Sequence, residues 1–138
     1  MELVGIKVLD LFAGFGSLGF EALSRGAVEI CFVDNSVQSQ KSLRETAAGL
    51  GVQSSVRIVK QDVVQFIRTE KGRYDLVFCD PPYSWGDYST LVNEIFSRGL
   101  VAENGMLLME HSSRYTFENI RHYDFYKDYG MTRVTFFS

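Results

Sequence analysis

Short apolar runs alternate with helix-like stretches along nearly the whole chain, and that alternation limits the fold more severely than any other feature. The runs read as strands over Lys7–Phe12, Glu29–Asp34, Val56–Gln61, Asp75–Asp80 and Gly105–His111. Several are almost continuously apolar, as strands covered by helices on both faces should be. Between them Leu43, Ala47 and Leu50, and later Leu91, Ile95 and Phe96, keep helical spacing. Gly26, Gly49, Gly51 and Gly99 fall where those helices should stop. The tail changes character: Tyr123–Asp128 and Thr132–Phe137 flank Tyr129-Gly130 and read as an antiparallel hairpin. The expectation is an α/β fold with a doubly wound, Rossmann-like sheet, mostly parallel and closed by that hairpin. With 138 residues, 46% of them hydrophobic, one domain over 1–138 suffices to bury a core.

Other classes drop out. Met1-Glu2-Leu3-Val4-Gly5 lacks the basic region and apolar stretch of a signal peptide, and no apolar run has membrane-spanning length. A cytoplasmic protein is therefore expected, with a monomer as the default. Cys31 and Cys79 each sit in an apolar run without metal or C-x-x-C spacing, so they read as buried reduced thiols, and no metal is expected. The net charge of −3 speaks against an autonomous nucleic-acid binder. Arg68, Lys71 and Arg73 lie close together but read as a solvated surface.

Gly14-Phe15-Gly16-Ser17-Leu18-Gly19 matches G-x-G-x-x-G, directly after a strand and opening a helix, and Asp34 ends the next strand. Glycines admit close backbone approach, a helix N-terminus offers N–H donors, and a carboxylate at that spacing can hold ribose hydroxyls. The plain alternative is a tight strand-to-helix turn with Asp34 capping the next helix. The motif alone suits a nicotinamide or flavin dinucleotide equally well. Asp10 weighs against those, because a carboxylate near the end of an apolar strand would repel a pyrophosphate. It suits the ammonium and sulfonium of S-adenosylmethionine. The plain alternatives are a carboxylate near solvent at the strand's end or one hydrogen-bonded to its own glycine loop, and even the latter fits a pyrophosphate poorly. Asp62 could accept from an adenine amino group or merely cap the short helix of Val63-Val64-Gln65-Phe66.

Asp80-Pro81-Pro82-Tyr83 ends the fourth apolar run. In a doubly wound sheet the first and fourth strands are neighbours, so this segment should face the glycine loop across the switch-point crevice. An exocyclic amine is a poor nucleophile because its lone pair is delocalised, and hydrogen bonds to a carboxylate and a backbone carbonyl would orient it. Positioning then supplies most of the acceleration. Two prolines stiffen the segment and remove N–H donors, and Tyr83 can stack on a flat base. An isolated D-P-P-Y would be no more than a rigid turn. Glu110 and His111 could line the cleft but read more readily as a structural strand-end pair. Trp85 and Tyr88 read slightly more readily as packing, and His122 has no evident partner.

The run Val8–Gly19, its continuation Glu21-Ala22-Leu23-Ser24-Arg25-Gly26-Ala27, Phe32-Val33-Asp34, the D-P-P-Y segment and Lys127-Asp128-Tyr129-Gly130-Met131-Thr132 with Phe136 resemble the bacterial 16S ribosomal RNA guanine-N2 methyltransferases. The likeness covers nearly the whole chain. It implies a Rossmann-like methyltransferase fold in which Asp10, Phe12, Ala13, Gly14, Gly16, Asp34, Asn35, Asp62 and Val63 surround S-adenosylmethionine. It also implies that Asp80, Pro81, Pro82 and Tyr83 hold a guanine amine, with ribosomal RNA or the assembled small ribosomal subunit as partner. Two departures stand out: Phe15 replaces a small residue, and the family's basic N-terminal arm has no counterpart before the first strand. A fragment, a mis-started reading frame or a divergent member is therefore expected. The competing readings are an amine methyltransferase of DNA or protein, a non-catalytic module and a dinucleotide oxidoreductase.

Overall fold

The computed structural model describes residues 2–138. Its strands are β1 (Lys7–Leu11), β2 (Glu29–Val33), β3 (Val56–Val59), β4 (Tyr74–Cys79), β5 (Val101–Ser112), β6 (Tyr123–Tyr129) and β7 (Thr132–Phe137). Its helices are α1 (Ser17–Ser24), α2 (Val37–Leu50), α3 (Val63–Thr69) and α4 (Tyr88–Ser97). The strands form one sheet in the order β3-β2-β1-β4-β5-β7-β6, in which β7 alone runs against its neighbours. The order turns back at β1 and β4, so the crevice opens at the carboxyl ends of those two strands.

Side-chain alternation gives the sheet two dry faces. Leu9, Leu11, Val33, Val77 and Leu107 pack with Phe66 and Ile67 of α3 and Leu91 and Ile95 of α4. Val8, Ile30, Phe32, Leu76 and Phe78 pack on the other side with Ala22 of α1 and Leu43 of α2. Burial on both faces is why these strands are apolar runs rather than alternating ones. Cys31 and Cys79 are buried free thiols within the first of these clusters.

Several boundaries differ from expectation by a residue or two, and three of the differences have clear local reasons. Phe12 leaves β1 with a positive φ of 58° and turns the chain into the glycine loop. Gly49 lies inside α2, which ends instead at Gly51 in a left-handed cap with φ 68°. β5 starts at Val101, ahead of a kink where Asn104 takes φ 66°, and the register with β4 shifts there. In the hairpin, Tyr129 pairs with Thr132, so Gly130 and Met131 make its two-residue turn. No helix of the described residues is long and apolar enough to cross a membrane.

Candidate active site

The glycine loop begins where Phe12 departs from β1 and Ala13 N–H donates to the Val33 carbonyl at 3.0 Å. Its three glycines do different work. Gly14 has φ 58° with open space where a Cβ would stand, and its N–H donates to Asp34 Oδ2 at 2.9 Å. Gly16 is left-handed and opens α1, and a Cβ there would lie 2.6 Å from Leu43. Gly19 lets the helix lie against β2, since its Cβ would meet the Phe32 ring at 2.4 Å. Only Gly14 of the three leaves room for another molecule beside its α-carbon.

Asp34 is committed to this turn. One oxygen accepts from Gly14 and the other from Ser36 N–H at 2.9 Å. Capping of α2 falls to Ser36, whose hydroxyl accepts from Ser39 N–H at 3.2 Å. Each Asp34 oxygen keeps a second lone pair for a ligand hydroxyl. Gln40, a residue that sequence reasoning passed over, is 2% exposed and donates to the Asp34 carbonyl at 2.9 Å and the Val59 carbonyl at 3.2 Å. It thus pins α2 to the ends of β2 and β3. A glutamine within an otherwise apolar helix stripe was the available signal.

Asp10 is buried rather than at a solvated strand end, with 4% of its surface exposed and Oδ2 lacking any partner. Burial pushes its carboxyl up to about 8; the Gly19 N–H opposes this, while the charges of Asp80 and Asp34 add to it. A buried, unpartnered carboxylate is costly unless a cation or donor joins it.

The D-P-P-Y segment stands across from this loop as expected. Asp80 N–H donates to the Leu11 carbonyl at 3.4 Å, and the Trp85 ring meets Phe12 edge-on with centroids 5.3 Å apart. Asp80, Pro81 and Tyr83 form one wall of a cavity of about 280 Å³. Glu110, His111 and Ser112 of the neighbouring β5 continue the lining, with Met131 and Thr132 from the hairpin and Tyr88 completing it. Tyr83 is 76% exposed and Met131 85%, so two large side chains stand free at the mouth. Pro82 is solvent-exposed outside that lining, and its carbonyl accepts from Trp85 N–H at 2.8 Å. Desolvation, with the Glu110 charge beside it, pushes the Asp80 carboxyl up to about 6, although its open edge lets water screen part of the effect.

His111 is saturated: Nδ1 donates to the Ser112 carbonyl at 2.8 Å and Nε2 accepts from the Thr135 hydroxyl at 2.6 Å. It therefore holds β5 to β7. Tyr88 is 5% exposed and packs on Phe117 and Tyr115. His122 stacks on Phe96 with centroids 4.1 Å apart. Of the remaining expected residues, Asn35 is exposed just beyond Asp34, and Asp62 is exposed and caps α3 through Gln65 N–H at 3.1 Å. Val63 points its side chain into the core, 4% exposed.

The carboxylates share an arrangement. Leu11 pairs with Val33 and Cys79, and Cys79 with Met109, so Asp34, Asp80 and Glu110 follow at the ends of β2, β4 and β5. Asp10 lies on β1 two positions further in, level with Phe32 and Phe78. Side-chain alternation puts all four on the same face. Among the described residues no group of three or more His, Cys, Asp or Glu could hold a metal ion. The row instead favours an organic cation or a molecule rich in N–H donors, and it disfavours a pyrophosphate.

The strand order with its single reversed strand, the glycine turn after β1 and the D-P-P-Y segment after β4 define a Rossmann-like methyltransferase fold. A structure of a conserved hypothetical protein from Streptococcus pyogenes superposes with a TM-score of 0.90 at 28% identity, covering 97% of this chain and 86% of that one. The chain belongs to the family described as conserved hypothetical protein 95, whose model matches residues 1–138. It is 31% identical over 112 residues to ribosomal RNA small subunit methyltransferase D of Escherichia coli (strain K12), covering 78% of this chain and 54% of that protein. It is 30% identical over 110 residues to YlbH of Bacillus subtilis (strain 168), covering 78% of this chain and 60% of that protein. The chain thus spans a little over half the length of these curated relatives.

Proposed function

We propose that this chain binds S-adenosylmethionine and methylates an amine, the exocyclic N2 of a guanine in small-subunit ribosomal RNA. One observation carries the cofactor reading: Asp10, 4% exposed, is bonded by the Gly19 N–H yet keeps Oδ2 without a partner, under a glycine turn with carboxylates on either side. Such a site fits the ammonium group of S-adenosylmethionine and penalises a dinucleotide phosphate. The cofactor supplies an activated methyl group when bound. Gly14 leaves room beside the loop, and Asp34 keeps lone pairs for ribose hydroxyls. The name of the Escherichia coli relative supports ribosomal RNA as substrate.

The chain's own residues then have one task, which is to aim the amine. Asp80, with its carboxyl at about 6, is ionised at neutral pH and accepts from one N–H of the amine. The Pro81 carbonyl accepts from the other, since the Pro82 carbonyl already serves Trp85. Two acceptors on a stiff segment fix the lone pair in one direction, and that orientation is where the rate acceleration arises. Tyr83 and Met131 stand at the mouth where an unstacked base would be sandwiched.

Thermal melting with S-adenosylhomocysteine and with NAD tests the cofactor, because a ligand that binds the folded state raises its stability. Stabilisation by S-adenosylhomocysteine alone is expected; stabilisation by NAD alone overturns the reading. Asp80→Ala should retain the shift with S-adenosylhomocysteine while losing methyl transfer to immature small ribosomal subunits. Loss of both together would remove Asp80 from the role assigned to it.

A further inference from the structure

Glu110 lies in the substrate cavity without a task. Cys79 of β4 pairs with Met109 of β5, so Asp80 and Glu110 occupy the next positions on neighbouring parallel strands, about 4.8 Å apart in the sheet direction. Both line the same cavity. None of the ion pairs of the described residues includes Glu110. The neighbouring His111 is fully engaged with Ser112 and Thr135 and leaves Glu110 unsupported. Two carboxylates side by side repel each other, so an arrangement with no cation between them calls for a donor-rich ligand.

We infer that Glu110 is the specificity-determining residue of this cavity, accepting the ring N1–H of guanine while Asp80 accepts from its N2 amine. The inference rests on the proposed amine-methylating reading and narrows it. Three bases carry an exocyclic amine. In adenine and cytosine the Watson–Crick-edge ring nitrogen next to that amine is an acceptor, whereas in guanine that nitrogen, N1, is an N–H donor. A carboxylate placed beside the one that holds the amine therefore attracts guanine and repels the other two. Rejection by an unpaired acceptor facing an acceptor is stronger than rejection by shape, because the buried polar group is left without a partner. The hairpin tip completes the frame: Ser113 N–H donates to the Met131 carbonyl at 3.0 Å, which fixes the turn over the Glu110 wall.

The test is a double substitution, one change in the protein and one in the base. Immature small subunits are reconstituted on 16S RNA carrying either guanine or 2-aminopurine at the nucleotide the wild-type chain methylates, located beforehand by mass spectrometry. 2-Aminopurine keeps the amine and replaces N1–H by a bare acceptor. Wild-type kcat/KM should fall about ten- to a hundredfold on 2-aminopurine. Glu110→Gln should lose activity on guanine and show little or no further loss on 2-aminopurine, because its amide can donate to the bare nitrogen. Melting with S-adenosylhomocysteine should give the same shift in both proteins, which separates a base-reading role from a folding defect. An equal loss on 2-aminopurine for wild type and Glu110→Gln overturns the inference and leaves the guanine reading standing. So does wild-type activity that is indifferent to the base change. Wild-type methylation of adenine, cytosine or a protein amine overturns both.

Discussion

At the scale of single residues, the glycine motif separates into ligand space and packing space. Gly14 and Gly19 belong to one pattern, yet a methyl group added to each meets opposite surroundings. At Gly19 it would come 2.4 Å from Phe32 Cε1 and 3.1 Å from Ile30, and Phe32 is itself fully buried and cannot swing away. Helix propensity favours alanine there by about 1 kcal/mol, but overpacking costs about 1–3 kcal/mol. At Gly14 the methyl group meets nothing within 4 Å, and only the left-handed φ of 58° resists it, at about 1–2 kcal/mol. Gly19→Ala should therefore lower Tm while leaving affinity for S-adenosylhomocysteine nearly intact in the protein that remains folded. Gly14→Ala should weaken that affinity more than it lowers Tm, because the new methyl occupies the open side of the loop. Paired melting curves and calorimetric titrations decide it. Reversal of the two phenotypes would assign the ligand face to Gly19.

At the scale of elements, what could be read from the sequence followed from burial. Strands dry on both faces are apolar runs, so β1 to β4 were visible to within a residue or two, and Thr132–Phe137 without error. The start of β5 was hidden because Val101 pairs with Tyr74 before the positive-φ turn at Asn104, where the pattern breaks. Contacts that depend on register had no local signature. The Phe12–Trp85 contact and the adjacency of Asp80 and Glu110 each join segments far apart in sequence. His111 and Glu110 were read as one strand-end pair, yet only His111 is bonded to Ser112 and Thr135 while both line the cavity. The choice for Asp34 between ligand and turn was posed too sharply, since it holds Gly14 and Ser36 and retains lone pairs. Capping is separable from that role. Ser36 caps α2 through its hydroxyl and holds Asp34 through its backbone N–H. Ser36→Ala removes only the first, so it should cost about 1 kcal/mol and a few degrees of Tm without changing affinity for S-adenosylhomocysteine. Ser36→Asp, which keeps a capping oxygen, should hold the wild-type stability. A large loss of affinity in Ser36→Ala would show that the α2 cap and the Asp34 turn are one coupled unit.

At the scale of the whole molecule, the fold gathers Asp34, Asp10, Asp80 and Glu110 toward the carboxyl ends of four adjacent strands, an edge suited to something positive or donor-rich. The Asp10 carboxyl stands at about 8 in the folded chain against 3.8 when unperturbed. Between those values the folded state binds more protons than the unfolded one, so this group's contribution to stability falls as pH rises through the window. The full penalty is present above about 8, and below 3.8 it disappears. Ordinary surface carboxylates act in the opposite direction, so the effect is isolated by difference. The Tm of wild type should decline relative to that of Asp10→Asn as pH is raised from about 4 to about 8, with the Asp10→Asn variant the more stable protein at the upper end. A cationic ligand inverts the relation, because it requires the carboxylate and expels the proton. Wild-type affinity for S-adenosylhomocysteine, which keeps the ammonium group, should therefore climb with pH across the same window and level off near 8. In Asp10→Asn the Tm should follow only the other carboxylates, and binding should be weak throughout without the rise toward pH 8. Parallel Tm curves for the two proteins, or an affinity that falls as pH rises, would mean that Asp10 is not the group that couples the acidic edge to its cation.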